Sequence, residues 1–597
     1  MIDHTVFGNP DSSLAGWRQA RFGMFIHWGI YSAMEGYWNG KETKGIGEWI
    51  QSRERIPLKD YAEFAKKLTL ENFAAGQYAR LARQAGMKYV VLTAKHHDGF
   101  AMWDSKASDY NIVKMGPSGR DPLRELADAV RAEGLTMCVY YSQALDWQDP
   151  NAKGNDWDFD PEKKDFARFI EGKCKAQLRE LLTEYGPVGL IWFDVPWGIS
   201  REQSLDLKRF VKSLQPDCLV SGRVGHDVGD YGSLGDNQLP AGRLEGDWET
   251  PATLNDTWGY KRDDRNWKSP ESLIKLLVEL VAKGANYLLN IGPRADGSIP
   301  EDSIDIIEEV GRWMDVNGEA VYGTSPSPFP TDFDWGRAAV KDGCLYLYLF
   351  EWQPKLELAG LRNPVRSATL LAAPDREPAV SQRHVVDNDE HRIEIALGDA
   401  APGRHVNVLR IEFDGVVDVN PLPCQQPDGS VRLPAYLAAV HPADTEIAGR
   451  MESGDDTAVA AERLNLAAGK TMETDASGVM QNWFDTNSHI TWEFSLDTPG
   501  EYRLELRTLA KKYAPWIGGH AVRIECDGRH IATTLTADTE PDTARRQYFN
   551  ETGSIPGTLK LDKPGLLKLT LKADSINTAD PVGLAVSELI LHRVTAH

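Results

Sequence analysis

With 597 residues the chain is too long for one hydrophobic core and suggests about three or four domains, since a barrel domain alone takes ~250 residues. Hydrophobic residues make up 42% and charged residues 26%, which excludes general disorder. Acidic side chains number 88 against 66 basic ones, so no nucleic acid and no anionic membrane is expected as a partner, and the acidic excess reads as a solvated shell.

The opening stretch MIDHTVFGNPDSSLAGWRQ lacks a basic segment followed by an apolar run, so no signal peptide is read there. No run of about 18 apolar residues occurs, and the expectation is a soluble, cytoplasmic chain. Up to about residue 325, strand-like and helix-like segments alternate. A first strand is read in RFGMFIHWGIYS, followed by KYVVLTA (88–94), TMCVYYS (136–142), GLIWFDV (189–195), DCLVSGR (217–223) and ANYLLNI. Between them lie the helix patterns ENFAAGQYARLARQAG, DPLRELADAVRAEG, KKDFARFIEGKCKAQLRELLTEYG and SPESLIKLLVELVAKG, several closing on glycine. Such alternation predicts parallel strands with helical crossovers, and its length suits a (β/α)8-like barrel over residues 1–328. No GxGxxG motif follows the first strand, which argues against a dinucleotide-binding sheet.

After SPSPFPTDF (325–333) the texture changes to short strands without long helices, predicting a β-sandwich over 329–416. A further all-β domain is expected over 430–597, from runs such as ITWEFSLDTPGEYRLELRTL and LAVSELILHRV. The six cysteines, Cys138, Cys174, Cys218, Cys344, Cys424 and Cys526, form no CxxC pair and no metal-ligand spacing, which points to a reducing compartment.

Thirteen of the 18 tryptophans precede residue 320, and Trp28, Trp49, Trp103, Trp147, Trp192, Trp197, Trp248 and Trp258 sit near strand ends or in the loops after them. Aromatic faces at a barrel mouth suit the C–H faces of sugar rings, although any one of them is as well explained by packing. In GLIWFDV, period-two alternation places Leu190, Trp192 and Asp194 on one face. An ionised carboxylate closing a buried apolar run is costly, and helix capping does not explain Asp194, because Ser200 with Gln203 forms a better capping box. Asp194 therefore stands at the C-terminal end of a barrel strand, where catalytic groups are placed. KHHDGF (95–100) closes another strand with His96 and His97, and His27 ends the first. No third ligand at a suitable spacing supports a metal, so no metal and no cofactor is expected, and the imidazoles fit hydroxyl binding better.

Further candidates are Glu48 and Trp49 in GEWIQSR, Tyr141 after CVY, and Arg223 at the end of DCLVSGR. The polar, glycine-rich region 229–260 reads as one long βα loop, with Asp230, Asp236, Glu245, Asp247 and Glu249 each able to supply a second carboxylate. A strand-end carboxylate, a loop carboxylate, hydroxyl-binding histidines and an aromatic mouth together suggest glycoside hydrolysis, which needs one carboxyl to protonate the leaving oxygen and another to attack or to activate water.

The motifs WRQARFGMFIHWGIYS, GEWI, AGMKYVVLTAKHHDGFAMWDSK, GRDPLREL, LIWFDVPWG, GDNQLP, WETPATLNDTWGY and YLLNIGPRADGSIP occur in order over residues 15–325. This series resembles the α-L-fucosidases of glycoside hydrolase family 29. The resemblance implies a retaining exo-glycosidase acting on a fucosylated oligosaccharide or fucoside, with Asp194 as nucleophile. It implies that His27, Glu48, Trp49, His96, His97, Tyr141, Trp192 and Arg223 line the fucose subsite, with an apolar patch for the sugar's methyl group. For the acid/base it favours Asp236, in Gly235-Asp236-Asn237, with Glu249 of the WET motif as the alternative and Glu245 third. Two other readings stand beside it, a catalytically weakened fucose-binding protein and the same barrel acting on a related galactoside-type substrate. The last domain loosely resembles carbohydrate-binding modules, with packing or dimerisation as its other reading. Linkage, aglycone and a homo-oligomeric state are left open.

Overall fold

The computed structural model describes residues 13–385, 390–443, 472–475, 477–512, 515–541, 549–577, 579–580 and 582–594. Most of the stretch read for a signal peptide therefore lies outside the described residues. The chain forms two compact units, one up to Asn237 together with Glu245–Thr324, the other Gln238–Leu244 with the chain from Ser325 onward.

The first unit is an eight-stranded parallel barrel. Its strands are β1 (Phe22–Ile26), β2 (Tyr89–Lys95), β3 (Thr136–Ser142), β4 (Leu190–Asp194), β5 (Leu219–Val220), β6 (Gly232–Ser233), β7 (Trp248–Thr253) and β8 (Ala285–Ile291). They are paired in chain order from β1 to β5 and from β6 through β8 back to β1. A parallel bridge between Ser221 and Tyr231 joins β5 to β6 and closes the ring. All residues of β1, β2, β4 and β8 are buried, as expected of strands covered by helices outside and by side-chain layers inside. The interior is unusually aromatic: Phe25, Tyr89, Tyr140, Trp192, Tyr231 and Trp258 belong to one buried cluster.

Crossover helices are α1 (Ala75–Gln84), α2 (Pro122–Ala132), α3 (Lys175–Glu184), α4 (Arg201–Leu214), α5 (Pro270–Lys283) and α6 (Glu301–Asn317). Their starts follow local chemistry. Asp121 and Ser269 cap α2 and α5 with proline in the first turn, and Ser200 with Gln203 forms the expected capping box on α4. Gly284 ends α5 at φ 90, a left-handed conformation that glycine adopts without strain.

The region 229–260 differs from its reading as a single loop, because it contains β6 and β7. No α-helix follows β5 or β6, so the expected strand–helix alternation breaks there. Both strands lack the apolar run that marks a buried strand. Pro251 sits within β7 because β6 pairs only with Trp248 and Glu249, leaving that edge of the strand open where an N–H is missing.

The second unit is all β. One four-stranded and one three-stranded antiparallel sheet, with strands from Gly336 to Phe413, enclose a core that includes Leu347, Leu356, Ile393 and Leu409. A six-stranded and a five-stranded sheet enclose a second core around Trp492, Phe494, Leu504 and Leu589. Among the described residues no helix is long and apolar enough to cross a membrane.

Candidate active site

Alternation along β4 sends Leu190 and Trp192 into the barrel and leaves Asp194 at its C-terminal end, 8% exposed. Val195 follows at φ 45, a left-handed conformation that is costly for a β-branched residue, and it turns the chain sharply away from the strand. The Asp194 carboxylate accepts from Tyr140 OH at 3.0 Å and from Arg223 Nη1 at 2.9 Å, while His97 Nε2 stands 3.6 Å away. Burial alone would raise this carboxyl, but Arg223, His97 and Tyr140 together hold it below its ordinary value. It is ionised at neutral pH.

Arg223 comes from the turn Gly222–Val224 that follows β5. Its guanidinium stacks on the Trp192 ring at 4.7 Å and donates to Ser233 Oγ and to the Leu234 carbonyl. Its Nη2 meets Asp236 Oδ1 at 2.5 Å. One cation thus bridges Asp194 on β4 and Asp236 on the loop after β6. Gln143, which nothing in the sequence singled out, ties the two supporting turns together: its Oε1 accepts the Asp194 backbone N–H at 2.9 Å and its Nε2 donates to the Arg223 carbonyl at 2.8 Å.

Three histidines stand across from this pair. His27 Nδ1 pairs with Asn290 Oδ1 at 2.6 Å, and His97 Nδ1 with Ser142 Oγ at 2.7 Å. The His96 ring lies flat on Tyr140 at 5.3 Å and beside His97 at 4.2 Å. Burial lowers His27 to about 3 and takes His96 well below its usual value, so both are neutral. Glu48, in the turn Gly47–Trp49, accepts the Gly259 N–H at 3.0 Å, and burial raises it to about 7. Its Oε1 and the Nδ1 of His96 are buried with no hydrogen-bond partner among the described residues. Such atoms call for a polar ligand or water. Trp49 leans edge-on against His97 at 5.0 Å and Trp147 at 5.4 Å.

The structure thus gathers His27, His96, His97, Tyr140, Asp194, Arg223 and Asp236 at the C-terminal ends of the strands, with Glu48 and Trp49 brought in by the β1–β2 connection. Tyr141 stands apart from this group. Its hydroxyl donates outward to Gln177 Oε1 at 2.8 Å, and Tyr140 presents its hydroxyl to Asp194 instead. Adjacent strand residues face opposite ways, and both faces of β3 are buried, so burial pattern could not separate the two tyrosines.

Glu249 lies inside the barrel. It is fully buried in β7 and accepts from Tyr89 OH and from Trp192 Nε1, each at 2.7 Å. Burial raises it to about 7. Trp192 is layered between it and the mouth, stacked on Tyr140 and carrying Arg223. The remaining loop acids serve elsewhere: Asp230 pairs with Lys208 and Lys212, Asp247 with Arg18, and Glu245 is exposed. Among the described residues no group of three or more His, Cys, Asp or Glu is placed to hold a metal ion.

The sequence model of the α-L-fucosidase family matches residues 9–319. Tissue α-L-fucosidase of Rattus norvegicus is 30% identical over 418 residues, 64% of this chain and 86% of that protein. Plasma α-L-fucosidase of Homo sapiens is 32% identical over 371 residues, 56% of this chain and 75% of that protein. The crystal structure of α-L-fucosidase from Vibrio sp. strain EJY3 matches over 99% of both chains, with TM-score 0.82 and 30% identity. AlfC from Lactobacillus casei in complex with α-L-fucose product covers 51% of this chain and 99% of its own, with 38% identity and TM-score 0.50. The match runs through the whole barrel and, in the Vibrio protein, through the all-β unit as well: this chain belongs to the α-L-fucosidase family.

Proposed function

We propose that the protein releases terminal α-linked L-fucose by a retaining double displacement, with Asp194 as nucleophile and Asp236 as acid/base. The observation that carries this reading is the single guanidinium of Arg223 bound to both carboxylates, at 2.9 Å and 2.5 Å. Retention needs the two carboxyls about 5–5.5 Å apart, which fits two groups gathered by one guanidinium.

Acid catalysis requires the reaction to start with Asp194 anionic and a proton on Asp236. Asp194 attacks the anomeric carbon as Asp236 gives its proton to the departing glycosidic oxygen, leaving a fucosyl ester on Asp194 and a carboxylate on Asp236. Arg223 therefore faces one negative charge in both states, and moves its stronger contact from one side to the other. In the second step Asp236 takes a proton from water, which displaces Asp194 and frees fucose with its original anomeric configuration. The neutral imidazoles of His27 and His96, the open Glu48 oxygen and the Trp49 face supply hydroxyl and ring contacts to the sugar. A second carboxylate beside Asp194 favours turnover over binding alone.

Azide separates the two roles. Asp194→Gly should lower turnover of 4-nitrophenyl α-L-fucoside at least about 10³-fold, and azide should restore it with formation of the β-fucosyl azide. Asp236→Ala should yield the α-fucosyl azide, because azide then attacks the covalent intermediate. The reverse pattern, or near-normal turnover by Asp194→Gly, contradicts the assignment.

A further inference from the structure

We propose that Trp197 is the platform of a leaving-group subsite, its exposed indole receiving the pyranose ring that carries the fucosyl group. This rests on the reading of Asp194 and Asp236 as the reacting pair. Trp197 is 48% exposed, whereas Trp28, Trp103, Trp147 and Trp192 are at most 2% exposed. It stands three residues after Asp194, a span of at most about 10 Å, on the turn that leaves the nucleophile strand.

The turn is rigid. Val195 takes its left-handed conformation at φ 45, and the Trp197 N–H donates to the Val195 carbonyl at 2.7 Å. Ile199 is buried, and Ser200 starts the capped helix α4, so the turn is anchored at both ends. Its sides are closed as well. Pro196 fits against Gly225 of the loop after β5, where a Cβ would come within 2.9 Å of it. Gly198 fits against Lys153 of the loop after β3, where a Cβ would come within 3.1 Å of Lys153 Cε. An indole left in water on a turn clamped this firmly is preorganised for a ligand.

Its place in the reaction identifies that ligand. The acid must touch the glycosidic oxygen, and whatever lies on the far side of that oxygen leaves the site past the strand-end turns. Pyranose rings present apolar C–H faces to aromatic surfaces, and Trp offers the largest such surface. Lys153 has no ion-pair partner among the described residues; its ammonium lies 4.8 Å from the Phe166 ring centroid and adds a donor for the hydroxyls of that ring.

The test compares two substrates that share the fucosyl group. α-L-Fucosyl fluoride has no ring beyond the scissile bond, whereas a fucosyl-galactose or fucosyl-N-acetylglucosamine disaccharide has one. The ratio of kcat/KM for disaccharide to that for fluoride should fall about tenfold in Trp197→Ala and recover in Trp197→Phe. An unchanged ratio in Trp197→Ala, or no recovery in Trp197→Phe, overturns the subsite. So does a wild-type protein that releases fluoride but cleaves no disaccharide. Failure to act on either substrate contradicts the fucosidase reading itself, which separates the two outcomes.

Discussion

At the residue scale the site turns on how one carboxylate is kept charged inside an aromatic barrel. Tyr140, Arg223 and His97 all face Asp194, and each opposes the effect of burial. Removing one donor therefore has a stated direction. Tyr140→Phe leaves the ring stack with His96 and Trp192 but withdraws a hydrogen bond to a charged group, worth about 1.5–3 kcal/mol. It should lower kcat/KM about 10- to 100-fold and move the acid limb of its pH profile to higher pH, whereas Tyr141→Phe should leave that limb in place. A profile that moves only in Tyr141→Phe would return the site to the other face of β3. Asp194 was legible because an ionisable residue closing LIWF has no cheap structural excuse. Tyr140 was not, since two adjacent tyrosines in a doubly buried strand look alike, and Gln143 carries no periodic or compositional signal.

Elements place these residues, and some elements are stabilised by groups that look catalytic at first sight. Lys95 ends β2 immediately before the histidines and is fully buried, 2.9 Å from Asp146, which also holds Lys173 at 2.9 Å. Burial would lower Lys95 and raise Asp146, and their pairing makes the arrangement tolerable. The same loop returns to the site, because the Trp147 N–H donates to the His97 carbonyl at 2.7 Å. Asp146→Asn strands two cations in the barrel wall and should cost about 3–5 kcal/mol in chemical denaturation, with Lys95→Met costing less. Equal, small losses in both variants would mean that water reaches the triad. Helices α2, α4 and α5 were readable from caps and apolar spacing, since those signals are local. Strands β6 and β7 were not, because GS and WETPAT owe their place to barrel closure rather than to hydrophobicity.

On the scale of the whole molecule, buried ionisable groups pull stability in opposite directions with pH. Glu249 and Glu48 are both raised to about 7, so the folded state holds their protons more tightly and their contribution to stability is lost as pH rises from about 4.5 through 7. His27 and His96 are lowered, so the unfolded chain binds their protons more tightly and stability rises with pH up to about 6.5. These slopes oppose each other between about pH 4.5 and 6.5, which hides them there in the wild-type curve. A difference measurement exposes one of them. The stability of the wild type relative to Glu249→Gln should decrease between pH 5 and pH 8, whereas a constant difference would mean that Glu249 is already ionised throughout. Azide should not rescue Glu249→Gln, because Trp192 separates that carboxyl from the mouth.

The barrel and the all-β unit that follows it in the chain were legible from the change of texture near SPSPFPTDF, since a sheet with crossovers and a stack of antiparallel strands impose different periodicities. What the sequence could not convey was which side chains meet at the mouth, because barrel closure brings β4, β5 and β6 together only in three dimensions. A double displacement requires the fucosyl group to become bonded to Asp194. Inactivation with a 2-deoxy-2-fluoro-fucosyl fluoride, followed by peptide mapping by mass spectrometry, reads this directly. One fucosyl adduct is expected, on the peptide containing Trp192–Asp194–Trp197, and none in Asp194→Gly; a label on any other carboxylate of the active protein would overturn Asp194 as the nucleophile.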